Sequence, residues 1–157
     1  MTSDSLLIRP AEMDEAAQLS DLAMRSKAHW DYSQEFMDAC RDELRVSPSK
    51  ITSDSYFCFV AEQAQSILGY YILKLISARQ YELEALFLEP SAIGQGIGRA
   101  LLEHAKTLTW QEGAQAIVIN SDPNAEAFYL SAGAKKVGSS PSGSIPGRVI
   151  PLLEIAL

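Results

Sequence analysis

Within YELEALFLEP, residues 81–90, Glu82 and Glu84 stand one residue apart on a stretch whose apolar and aromatic content suits a strand. Strand alternation puts Glu82, Glu84, Leu86 and Leu88 on one face and Tyr81, Leu83, Ala85 and Phe87 on the other. Two carboxylates on a common face equip a site for general acid–base chemistry; they are equally the solvent face of a half-buried sheet. Immediately downstream, SAIGQGIGRALL sets Gly94, Gly96 and Gly98 at alternate positions before an apolar helix. Glycines let the backbone approach a ligand closely, and the free N–H groups of a helix start favour an anion such as a pyrophosphate. A tight turn holding nothing would use the same residues. A Walker-type phosphate loop needs Gly-Lys-Ser/Thr where Gly98, Arg99 and Ala100 stand. The dinucleotide fingerprint fails too, because Arg99 and Leu101 occupy the places of its third glycine.

The elements that must position these groups follow from periodicity and punctuation. SLLIRP reads as a first strand ended by Pro10. AEMDEAAQLSDLAMRSKAHW spaces Met13, Ala16, Ala17, Leu19 and Ala23 as a helix face, and SQEFMDACRDEL follows Ser33 as N-cap. YFCFVAEQ, ILGYYILKLI and YELEALFLEP read as consecutive antiparallel strands. After the glycines, Ile97, Leu101, Ala105 and Leu108 share a helix face that Gly113 closes. AIVIN reads as a strand buried on both sides, PNAEAFYLSAG as a helix from Pro123 to Gly133, and KKVGS and VIPLLEIAL as closing strands. SSPSGSIPG, residues 139–147, reads as one mobile loop. The order β-α-α-β-β-β-α-β-α-β-β predicts an α/β (α+β) fold, a mixed, mostly antiparallel sheet flanked by helices, in one domain spanning 1–157.

Composition narrows the function classes. The 157 residues carry a net charge of −7 with no basic patch, which argues against a nucleic-acid partner. That surplus suits a cationic substrate such as an amine, and it suits solubility alone. With no apolar run of membrane length and no secretory leader, the expectation is a soluble, cytoplasmic protein without a membrane partner. Cys40 and Cys58 read as buried thiols, and His29 and His104 lack partners at ligand spacing, so no metal is expected.

FLEP-SAIGQGIGRALLEHA resembles the cofactor motif of the GNAT superfamily of acyl-CoA-dependent N-acyltransferases, an Arg or Gln, then Gly-x-Gly/Ala, after a strand ending near a proline. Ile93, Gly96 and Gly98 fall on it, with Ile93 in place of the Arg or Gln and expected to pack beneath the loop. NAEAFYLSAGA, residues 124–134, resembles the second signature, and the element order agrees across nearly the whole chain; the details are similar to small bacterial members.

The resemblance implies acetyl-CoA as co-substrate and direct acetyl transfer to a primary amine of a small molecule or peptide. Glu82 or Glu84 would serve as base, directly or through water, with Glu82 the closer match. Tyr129 would protonate the leaving thiolate; its unperturbed pKa is about 10. The alternative for Tyr129 is a core aromatic, although Phe128 is the better core candidate. The pantetheine arm would add to the backbone of Leu86, Phe87 and Leu88 as an extra strand. The pyrophosphate would meet the N–H groups of Gly94, Gln95, Gly96, Ile97, Gly98 and Arg99, and Asn124 would bond the pantetheine or cap its helix. His29, Trp30 and Tyr32, with Asp31, Glu35 and Asp38 nearby, would face the acceptor, and the loop carrying Arg148 would close over it. A homodimer stays open, and so does the competing reading, a non-catalytic acyl-CoA-binding sensor or interaction module.

Overall fold

The computed structural model describes residues 5–157. Strand β1 (Leu7–Pro10) leads through a 3₁₀ turn at Met13–Glu15 to helices α1 (Ala16–Ala28), α2 (Gln34–Leu44) and α3 (Pro48–Thr52). Strands β2 (Tyr56–Gln63), β3 (Ser66–Ser77) and β4 (Gln80–Leu88) follow, then α4 (Ile97–Gln111), β5 (Ala116–Asn120), α5 (Glu126–Ser131), β6 (Lys135–Pro141) and β7 (Val149–Ala156). The seven strands form one sheet in the order β1-β2-β3-β4-β5-β7-β6, antiparallel at every pair except β4–β5.

The expected α/β order holds with the addition of α3, whose Pro48 sits in its first turn and whose Ser47 accepts a hydrogen bond from the Lys50 amide. The Ser33 hydroxyl caps α2 by accepting from the Phe36 amide at 3.1 Å. On α1 the buried face is Ala16, Leu19, Leu22, Ala23 and Ser26; Met13 and Ala17 are exposed because the segment begins as a 3₁₀ turn and the helical phase starts later. Strand β5 is not buried on both sides: Ile117 and Ile119 are buried, while Ala116 and Val118 face a half-open surface. Residues 139–141 of the expected mobile loop continue β6 against β7.

Apolar side chains build a core on each sheet face. Under α4 and α5, Tyr71, Leu73, Tyr81 and Leu83 pack with Leu101, Leu102 and Ile117. Under α1, Val60, Tyr70 and Ile72 pack with Leu19, Leu22 and Ala23. Cys58 lies in this second core, where burial pushes its thiol up to about 12, and Cys40 is likewise buried and free.

Strand β4 changes phase. Leu73 pairs with Leu83 and Ile72 with Ala85, so Glu84 is an extra residue, a β-bulge. Past it the faces exchange: Leu86 and Leu88 join Tyr81 and Leu83 on the α4 side, and Ala85 and Phe87 lie on the α1 side. Uninterrupted alternation had put Leu86 and Leu88 with the glutamates, and the bulge is the reason that expectation fails.

Gly69 lets β4 close against β3 beyond the bulge. A Cβ there would lie 2.6 Å from Leu88 Cδ2 and 2.8 Å from the Phe87 carbonyl oxygen. Gly69→Ala is expected to destabilise the fold by about 1–3 kcal/mol, seen as a lower urea midpoint; an unchanged midpoint would mean that β4 shifts freely.

Candidate active site

The parallel ladder between β4 and β5 is short. It pairs Gln80 with Ala116, Tyr81 with Ile117 and Glu82 with Val118, and then stops. Beyond Glu82 the strands diverge, leaving the β5-facing edge of β4 without a ladder; the Leu88 amide there reaches the Ser26 hydroxyl at 3.4 Å. A cavity of about 1000 Å³ opens in this divergence, lined by residues from Glu82 to Leu88, the glycine loop and the ends of β5 and β6.

At one end lies the glycine loop. Gly94 and Gly96 take φ of +86° and +83°, a left-handed conformation that favours glycine. Gly96 is the N-cap of α4, whose first turn carries no acidic residue. Gly94, Gly96, Gly98 and Arg99 line the cavity, while the Gln95 side chain turns back to the Ser91 carbonyl and Ile97 is buried in the core. Ile93 does not pack beneath the loop: it is 39% exposed at the cavity margin, because the chain becomes extended at Ile93 after the turn at Pro90–Ala92 that buries Ala92. Arg99 donates to the Ser131 hydroxyl of α5.

Both glutamates reach the cavity with different partners. Glu82 accepts from the Asn120 side-chain Nδ2 at 3.1 Å, and Asn120 Oδ1 accepts from the Ser140 hydroxyl. Glu84 accepts from the Lys50 ammonium at 3.1 Å. Tyr129 also lines the cavity; it is 6% exposed, and burial aided by the negative Asp122 raises its phenol well above the ordinary range. Phe128, expected to be the inward residue of this pair, is only half-buried, since the short α5 presents Tyr129 to the core.

Across the splay runs a polar knot. The Tyr32 hydroxyl donates to Asp122 at 2.9 Å and accepts from Asn124 Nδ2 at 2.9 Å and Arg148 Nη2 at 3.1 Å. Lys27 pairs with Asp122 at 3.2 Å, and Arg148 lies over the Phe36 ring. Asp122, not Asn124, caps the 3₁₀ turn at Pro123–Ala125 by accepting from the Asn124 amide. Burial opposes ionisation of Asp122, but the Asn124 amide, the Lys27 charge and the Tyr32 hydroxyl outweigh it and hold the carboxyl below its usual range. Tyr32, desolvated and bonded to Asp122, is pushed up.

Of the residues expected at the acceptor side, Trp30 and Arg148 line the cavity, Tyr32 sits in the knot, and His29 is exposed outside it, edge-on to Trp30 at 5.2 Å. Asp31, Glu35 and Asp38 are exposed and outside the lining. Asp122, Lys27 and Lys50 escaped sequence reasoning. Only the position of Asp122 immediately before a proline-started helix pointed to it, as a cap.

Residues 15–143 match the family model described as an acetyltransferase (GNAT) domain, and the chain belongs to that family. Acetyl-CoA is the co-substrate of its enzymes, which makes this chain an acyltransferase. It is 29% identical over 149 residues to the peptidyl-lysine N-acetyltransferase YjaB of Salmonella typhimurium, covering 94% of this chain and 95% of that protein. The Escherichia coli protein of the same name is 27% identical over 150 residues, covering 95% of each. Among solved structures, the PaiA N-acetyltransferase of Thermoplasma acidophilum in complex with coenzyme A superposes with a TM-score of 0.77 at 20% identity, covering 98% of this chain and 99% of that one. The cavity fits such a co-substrate: an extended arm has an unladdered strand edge, and an anion has the start of α4, led in by the left-handed Gly94 and Gly96.

Asp122 gives a pH test of the knot. Its folded-state carboxyl ionises at lower pH than in the unfolded chain, so its stabilisation is complete above the usual carboxylate value of about 4 and disappears as pH falls through the depressed folded value. Asp122→Asn is therefore expected to lower the urea midpoint at pH 7, with the gap to wild type narrowing below about pH 4. A gap independent of pH would contradict the ion pairing.

Proposed function

We propose that the protein transfers an acetyl group directly from acetyl-CoA to a primary amine of a small molecule or peptide, both substrates being held together in the cavity. The observation that carries this reading is the convergence of Glu82, Tyr129 and the glycine loop on one cavity at the end of the β4–β5 ladder. Bound acetyl-CoA supplies the acetyl group as a thioester. The backbone of Leu86, Phe87 and Leu88 holds the pantetheine arm, and the N–H groups from Gly94 to Arg99, those of Gln95 and Ile97 included, hold the pyrophosphate. Ile93 flanks the loop without contributing charge, and Asn124 acts through the knot.

Glu82 takes the proton from the acceptor ammonium, directly or through water. Its only hydrogen bond among the described side chains comes from the neutral Asn120 amide, whereas Glu84 is engaged with Lys50 and serves to position it. The amine nitrogen then bonds to the thioester carbon, the C–S bond breaks, and Tyr129 gives its proton to the departing sulfur. A phenol kept protonated by burial is a donor at neutral pH. Trp30, steadied by His29, and Arg148, anchored on Tyr32, shape the acceptor side. The names of the YjaB relatives support a peptide lysine as one acceptor to try first.

Tyr129→Phe is expected to lower kcat by about 10²–10⁴-fold with the acetyl-CoA Kd retained, measured by thiol release and calorimetry. Glu82→Gln is expected to do the same and to abolish the dependence of rate on the ionisation of the base. Wild-type protein that binds acetyl-CoA but turns over no amine would instead be the non-catalytic binding module.

A further inference from the structure

Among the described residues, two buried side-chain polar atoms have no hydrogen-bond partner, the Tyr70 hydroxyl and the Ser144 hydroxyl. Both residues line the active-site cavity. Buried hydroxyls are nearly always bonded, and leaving one unmade costs about 1–3 kcal/mol. Two unbonded hydroxyls in residues that line one cavity leave hydrogen-bonding capacity that a molecule bound there can complete.

Their surroundings say what kind of molecule. Tyr70 is fully buried on the α1 side of the sheet, with its ring beside Phe87. Ser144 lies in the β6–β7 turn, and the neighbouring Gly143 packs against Glu43 of α2, so the turn closes on the helix end that carries Arg45. Arg45 lines the cavity, and its guanidinium has no hydrogen bond or ion pair among the described residues, while Lys50 lines it as the partner of Glu84. Burial keeps the Tyr70 phenol protonated far above neutrality, so it offers a hydrogen. Two hydroxyls and a free guanidinium together suit an oxygen acceptor.

The charge balance points the same way. Lys27, Arg45, Lys50, Arg99 and Arg148 line the cavity against Glu43, Glu82, Glu84 and Asp122. The chain's net −7 is thus not expressed there. A polycationic amine would find no surplus of carboxylates, whereas an amine bearing its own carboxylate or carbonyl would meet a balanced wall.

We propose that Tyr70, Ser144 and Arg45 form a subsite for a carboxylate or amide carbonyl carried by the acceptor, so that the acceptor class is amino-acid-like amines rather than simple polyamines. The inference rests on the acetyltransferase reading above and adds the substrate class to it. The test compares matched acceptors that differ by this group, L-lysine with cadaverine and L-phenylalanine with phenethylamine. Nα-acetyl-L-lysine amide distinguishes a peptide carbonyl from a free carboxylate. Wild type is expected to show a lower KM for the carbonyl-bearing member of a pair.

Tyr70→Phe is expected to raise that KM about tenfold, with kcat, the acetyl-CoA Kd and the KM for the plain amine little changed. Because the free protein loses no bond, the Tm of Tyr70→Phe should be equal to or above that of wild type. Ser144→Ala should act in the same direction. Equal KM values within each pair, or a Tyr70→Phe variant that lowers Tm and leaves the preference intact, would overturn the subsite while leaving the acetyltransferase reading standing. Acetyl-CoA binding with no turnover of any amine would overturn that reading, and the subsite with it.

Discussion

The structure depends on a parallel ladder that ends after Glu82 and Val118. Had β4 and β5 stayed paired, the sheet would be continuous and the polar edge of β4 satisfied by its neighbour. Instead the Glu84 bulge gives β4 an added residue and exchanges its faces, and the strand leaves β5 with that edge free. Unpaired strand edges are a liability on a protein surface. Within a cleft between two packed cores, the same edge is a template for an extended ligand.

A sheet opened at its middle needs other ties between its halves. Lys27 and Tyr32 from the β1–β4 half meet Asp122, Asn124 and Arg148 from the β5–β7 half. Nearer the ladder, Ser140, Asn120 and Glu82 form a chain of hydrogen bonds across β6, β5 and β4. One consequence is chemical: Glu82 is oriented by a neutral amide, while Glu84 faces a lysine. The two carboxylates therefore have distinct surroundings although a single residue separates them.

Much of this was legible from residue types. The Ser33 cap, the succession of elements other than α3 and the glycine loop before an amphipathic helix rest on local rules of hydrogen bonding and backbone conformation. The bulge was not legible, because an added residue is defined only by the register against β3, which no feature of YELEALFLEP reveals. The same holds for Tyr129, which is more buried than Phe128 because of where the short α5 meets the sheet. Lys50 became part of the site through α3, a five-residue helix too short for a periodic signal. The orphan hydroxyl of Tyr70 could not be foreseen, since a strand tyrosine is ordinary until each neighbouring partner is accounted for.

The central claim is that one molecule occupies both the free edge of β4 and the start of α4. Amide hydrogen exchange, resolved by residue and recorded with and without coenzyme A, tests it most directly. Slowed exchange at Leu86 and Leu88 together with Gly94–Arg99, and little change at the β2–β3 ladder, is the predicted result. Saturable coenzyme A binding that leaves those amides exchanging as before would contradict it.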